Sequence, residues 1–131
     1  MRKKTTDQSL NLTRVEEQIM ALLWEKRRAF VNEIIEMMPE PKPAYSTVST
    51  TIRILERKGF VSHKKLGRTF QYFPVVSQDQ YLSNSLTRLS SMFFQNSYAN
   101  VVSFFAEQGK LRKKDIEEIE GLLHTLKRKK R

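Results

Sequence analysis

Cysteine is absent from these 131 residues, which excludes disulfides and thiolate-ligated metal centres. Glycine is scarce, at four residues, and no glycine-rich run is present to cradle a phosphate. No apolar stretch approaches the roughly 20 residues needed to cross a bilayer. The charged start, Arg2-Lys3-Lys4, leads into no hydrophobic signal region. Only two histidines occur, His63 and His124, far apart in sequence and without acid–base or metal-ligand spacing. Negative charge is also short: 14 acidic residues face 24 lysines and arginines, a formal net charge of +10. These absences point away from an enzyme, a metal site, a cofactor or a small-molecule ligand. They leave a cytoplasmic chain whose charge favours a polyanionic partner, nucleic acid before anionic membrane.

Hydrophobic residues make up 39% of the chain, enough for a core. Residues 1–10 show no apolar period and read as a flexible arm. Thr13-Arg14-Val15-Glu16 matches a capping box. Val15, Ile19, Leu22 and Leu23 then place one apolar face on a first helix running to about Lys26, with Trp24 completing it. Val31, Ile34, Ile35 and Met38 give a short second helix that Pro39 ends. The prolines at 39, 41 and 43 enforce a stiff turn. A third helix begins near Ser46 or Thr47 and buries Val48, Ile52 and Leu55, stopping at Gly59. Two β-like runs follow, Phe60 to Leu66 and Thr69 to Val76, with Gly67-Arg68 at the hairpin tip. Beyond Ser77 come three more helices, marked by Leu82, Leu86, Leu89 and Phe93, then Tyr98, Val101, Val102 and Phe105, then Ile116, Ile119, Leu123 and Leu126.

Helix, helix, helix and hairpin, then further helices, describe a mainly α fold with a small β-hairpin. The expected architecture is a winged helix-turn-helix domain over 11–76 and a helical dimerisation domain over 77–131 with a basic tail. The last three helices are too small and apolar to stand alone, and a symmetric dimer is the usual way to cover such stripes. Leu82, Leu86, Leu89, Phe93, Val101, Phe105, Ile119 and Leu123 are the expected interface residues.

The charge excess tracks one region. Between Tyr45 and Val75 there are six basic residues (Arg53, Arg57, Lys58, Lys64, Lys65, Arg68) against one acid, Glu56. On the third helix, Ser46, Thr47, Ser49, Thr50 and Arg53 are the expected DNA contacts. Arginine bonds a guanine edge through two hydrogen bonds, and a threonine methyl packs on the thymine methyl. Hydroxyl and β-branched residues are poor choices for an ordinary surface helix. Lys64, Lys65 and Arg68 flank the hairpin tip, suited to phosphates and also to protecting a strand edge. Two other readings stay open: a winged helix that docks a protein without reading DNA, and membrane attachment through the basic C-terminus. The acids Asp115, Glu117, Glu118 and Glu120 oppose the second.

The ordered set of these residues resembles the penicillinase-repressor family of bacterial regulators (BlaI/MecI/CopY). The matching run includes Leu12-Thr13 through Glu16, Leu22-Leu23-Trp24, Val31-Asn32-Glu33-Ile34, Tyr45-Ser46-Thr47-Val48, Leu55-Glu56-Arg57-Lys58-Gly59 and the wing ending at Tyr72. A weaker match reaches Phe105-Ala106 and Asp115 to Ile119. The resemblance implies a homodimeric repressor on an inverted-repeat, double-stranded DNA operator. For β-lactam-responsive members it implies release by proteolysis in the dimerisation region, with a membrane sensor protease as an indirect partner. The counterpart of the cleaved Asn–Phe bond is Phe104–Phe105, so this chain departs from that pattern at the first position. The cysteine cluster of copper-responsive members is missing.

Overall fold

The computed structural model describes residues 11–130, so the N-terminal arm expected over 1–10 lies outside the described residues. Among the described residues eight elements follow in order: α1 (Arg14–Lys26), α2 (Val31–Met37), α3 (Tyr45–Arg57), β1 (Val61–Leu66), β2 (Thr69–Pro74), α4 (Gln78–Phe93), α5 (Tyr98–Glu107) and α6 (Lys113–Lys129). Two compact units divide between Leu86 and Thr87, inside α4.

The capping box forms as expected. The Glu16 amide donates to Thr13 Oγ1 at 3.2 Å and the Thr13 amide to Glu16 Oε1 at 2.8 Å. The buried face of α1 differs from the expectation. Val15 is 41% exposed, whereas Glu16, Ile19, Met20 and Leu23 are buried and Leu22 is half-buried. Ile19 and Leu23 stay inward as expected, but the stripe is turned toward Glu16 and Met20, by roughly 65° at 100° per residue. A carboxylate occupies its first position because Lys58 Nζ reaches Glu16 Oε1 at 2.7 Å. An apolar period cannot reveal a buried charge whose partner lies 42 positions away.

The winged-helix core joins Ile19, Met20 and Leu23 of α1 to Val31 and Ile34 of α2, Val48, Ile52 and Leu55 of α3, and Phe60, Val61 and Tyr72 around the hairpin. Met38 ends α2 in extended geometry before Pro39, as a proline requires of its predecessor. Gly59 (φ 87°) and Gly67 (φ 67°) hold left-handed positions after α3 and at the hairpin tip, where a side chain would be strained. β1 and β2 pair antiparallel from Val61↔Pro74 to Leu66↔Thr69. β2 ends at Pro74, short of the expected Val76, since proline brings no N–H to the ladder. Ala29 adds a one-residue bridge to Tyr72, with reciprocal bonds of 2.9 and 2.8 Å. One residue offers no period to detect.

The base of α4 is tied to α1. Trp24 Nε1 donates to the Val76 carbonyl at 2.8 Å, and the Tyr81 hydroxyl donates to Glu17 Oε2 at 2.5 Å. In the second unit, α6 starts on a capping box in which the Arg112 amide donates to Asp115 Oδ2 at 2.9 Å. The Arg112 guanidinium bonds the same carboxylate and holds it below the usual aspartate range.

Candidate nucleic-acid interface

α3 buries one side and exposes the other, which fixes what it can present. With Val48, Ile52 and Leu55 inward, the helical period sets Ser46, Thr50, Arg53 and Arg57 on the opposite side at i, i+4, i+7 and i+11. All four are exposed. The five contacts expected on this helix split by azimuth. Ser46, Thr50 and Arg53 share the outward stripe, and Thr47 lies on one flank of it. Ser49, half-buried, lies on the hairpin side and accepts from Arg53 Nη2 at 3.2 Å, which orients the guanidinium along the helix. Arg57 belongs to the stripe but was not among the expected contacts. The signal was its i+4 spacing from Arg53. No side chain caps the first amides of α3, whose N-cap is Ala44, so its positive end is open to an anion.

The hairpin register decides which cations accompany that stripe. Side chains alternate faces along a strand, and directly paired residues share one. His63 with Tyr72 and Lys65 with Phe70 therefore lie on one face, and Lys64 with Gln71 on the other. The first face looks toward α3. A cleft of about 310 Å³ runs between them, lined by Asn32, Tyr45, Ser49, Arg53, Arg68 and Phe70 among others. Lys64 and Lys65, expected to act together, are thus separated by the pleat. Arg68 at the tip reaches the α3 side of the wing.

Two groups around the cleft are structural. His63 Nδ1 lies 2.8 Å from Glu56 Oε2, tying β1 to α3. Lys58 is held by Glu16 and by the Asn11 carbonyl at 3.1 Å, so this cation serves the fold and leaves the outward stripe. The Tyr72 phenol is pushed above its ordinary range by burial first, then by the Glu56 carboxylate. Among the described residues no group of three His, Asp or Glu side chains is placed to hold a metal ion.

On α4, α5 and α6 the expected interface residues stay uncovered within one chain. Leu82, Leu86, Leu89, Phe93, Phe105 and Leu123 are all exposed, and Val101 and Ile119 are half-buried. Phe104 and Phe105 sit inside α5, their rings edge to face at 6.2 Å, with Phe94 also edge to face on Phe104 at 5.7 Å.

Three helices, a two-stranded wing and an outward polar stripe on the third helix define a winged-helix protein. The profile of the penicillinase repressor family matches residues 12–125, and the chain belongs to that family, one of repressors and not of enzymes. It is 26% identical over 119 residues to the methicillin resistance regulatory protein MecI of Staphylococcus aureus (strain N315), covering 90% of this chain and 97% of that protein. It is 25% identical over 117 residues to the penicillinase repressor of Bacillus licheniformis, covering 88% and 91%. The solved DNA binding domain of the repressor BlaI aligns with a TM-score of 0.49 and 26% identity, covering 54% of this chain and 88% of that one.

Proposed function

We propose that this protein is a cytoplasmic, sequence-specific transcriptional repressor that binds an inverted-repeat operator as a homodimer. The observation that carries the reading is the exposed stripe Ser46, Thr50, Arg53 and Arg57, free of carboxylates and backed by core. α3 enters the major groove on this stripe. Arg53 and Arg57 each have the fork geometry that bonds O6 and N7 of guanine, and the Thr50 methyl suits thymine. Ser46, Thr47 and the open N-terminus of α3 take phosphate oxygens. Lys65 and Arg68 carry the neighbouring backbone along the α3 side of the wing, and Lys64 contributes from the far side.

The dimer is supported by the leucine and phenylalanine faces of α4, α5 and α6, which a single chain leaves in water. Paired subunits would set their α3 helices about one DNA turn apart, ~34 Å, or a multiple of it. A membrane sensor protease acting at Phe104–Phe105 extends the same reading. Both residues are close to half exposed, at 46% and 47%, and the bond lies mid-helix, so cleavage requires α5 to unwind locally.

The test is an anisotropy titration of the full chain at about 150 mM salt, where nonspecific phosphate binding is weak. Duplexes from upstream of its own gene are compared with scrambled duplexes of equal composition. Tight binding to a palindromic upstream segment, with a stoichiometry of two chains, is expected. Equal affinity for both duplexes refutes the reading.

A further inference from the structure

The outer face of the hairpin borders a second cleft, of about 480 Å³, lined by Trp24, Arg27, Arg28, Lys64, Gln71 and Phe73 with Pro74. It is separate from the α3 cleft, because Lys64 and Gln71 alternate to the opposite face from Lys65 and Phe70. Three cations from two elements converge on it, and no carboxylate lines it. Among the described residues none of the three forms an ion pair; the salt bridges are Lys58–Glu16, His63–Glu56 and Arg112–Asp115.

The aromatic wall is already fixed. The Trp24 indole is held by its bond to the Val76 carbonyl and by the Tyr81 ring, 5.7 Å between centroids. Arg27 adds an independent observation. It caps α1 with φ 80°, its amide donating to the Leu23 carbonyl at 2.7 Å. Glycine takes that left-handed position without strain. Lys26 already supplies a cation to the last turn of α1. Helix capping therefore uses the Arg27 backbone and leaves its side chain unexplained.

We propose that this cleft binds a small aromatic anion, a planar ring carrying a phosphate or carboxylate. The ring packs against Trp24 and Phe73, and the anionic group sits among Arg27, Arg28 and Lys64. Guanidinium groups meet such oxyanions through paired hydrogen bonds and also stack on ring faces. The volume falls within the roughly 300–1,000 Å³ of small-molecule sites. A DNA backbone would use the cations but not the concave aromatic floor.

The probe is phenyl phosphate, titrated into the full chain and read by the fluorescence of Trp24, the chain's single tryptophan. A saturable change is expected, with inorganic phosphate (charge without ring) and benzyl alcohol (ring without charge) at least about tenfold weaker. Arg27→Gly relieves the backbone while deleting the side chain. It should keep or raise the thermal midpoint and weaken phenyl phosphate about tenfold or more. Arg28→Gln should weaken binding with unchanged circular dichroism. The proposal is overturned if phenyl phosphate fails to saturate below ~10 mM, if inorganic phosphate binds equally well, or if Arg27→Gly leaves the titration unchanged. Failure to saturate together with weakened duplex binding by Arg27→Gly would assign the cations to a DNA backbone and remove the ligand site.

Discussion

Lys58→Met tests whether the recognition helix is anchored from behind by a charge. Glu16 is 3% exposed and its carboxylate accepts from Lys58 Nζ at 2.7 Å and from the Thr13 amide at 2.8 Å. Removing one partner of a buried pair costs about 3–5 kcal/mol, because the survivor is left charged and dry. Two features lower that figure here. The Thr13 amide remains, and Glu16 lies in the first turn of α1, where the helix dipole favours a negative charge by roughly 0.3–1 kcal/mol. The Lys58 side chain is also 23% exposed, so the pair is not fully desolvated. The expected loss is about 2–3 kcal/mol, a large share of the roughly 5–15 kcal/mol of a typical domain. Urea unfolding followed by Trp24 fluorescence reads the winged-helix unit. With a slope near 1 kcal/mol per molar for so small a unit, the midpoint should fall by about 2–3 M. Glu16→Gln with Lys58→Met should recover much of the loss, since no unpaired charge then remains, giving a coupling of about 1–2 kcal/mol. A Lys58→Met loss below about 0.5 kcal/mol, the size of an ordinary surface change, would refute the reasoning.

Further outcomes follow from the same geometry. Arg53→Ala and Arg57→Ala should each weaken a specific duplex by about 1–3 kcal/mol and scrambled DNA much less; equal losses on both would reduce them to backbone contacts. Lys65→Ala and Arg68→Ala should each lower the salt slope of DNA binding by about 0.9, whereas Lys58→Met, internally paired, should leave it unchanged. The pair Leu89→Glu and Phe93→Glu puts charge where two side chains would each bury about 1.5–3 kcal/mol. Light scattering should then show a monomer at concentrations where the parent is a dimer, with the urea midpoint of Trp24 unmoved. The raised Tyr72 pKa means stability is complete below the unfolded value of 10.0 and is lost as pH rises through the folded one. Tyr72→Phe should flatten the fall in thermal midpoint above pH 10.0, and an unchanged fall would assign it to other groups.

Most of the winged helix was legible because its apolar residues keep strict periods. Val48, Ile52 and Leu55 announced α3 and its buried side, and Gly59 and Gly67 marked its stop and the hairpin tip. The features that escaped were of two physical kinds. Glu16–Lys58 and His63–Glu56 are polar contacts between elements, so no local pattern encodes them. The Ala29–Tyr72 bridge and the sorting of Lys64 from Lys65 depend on strand register, which sequence alone leaves free by one residue. Arg57 was visible only as one of the region's basic residues, since its place on the stripe emerges once the inward residues fix the helix's rotation.

The pleat of the wing has a consequence for how this protein can vary. Alternation along β1 makes two neighbouring lysines inhabitants of different surfaces, so a one-residue insertion in β1 ahead of them would exchange them. A one-residue slip in β2 would bring Tyr72 out of the core and turn Phe73 inward, so a change of surface chemistry there comes with a loss of packing. Length changes in this ribbon are therefore tolerable beyond the terminal Leu66–Thr69 pair, where Gly67 and Arg68 turn, and ruinous below it.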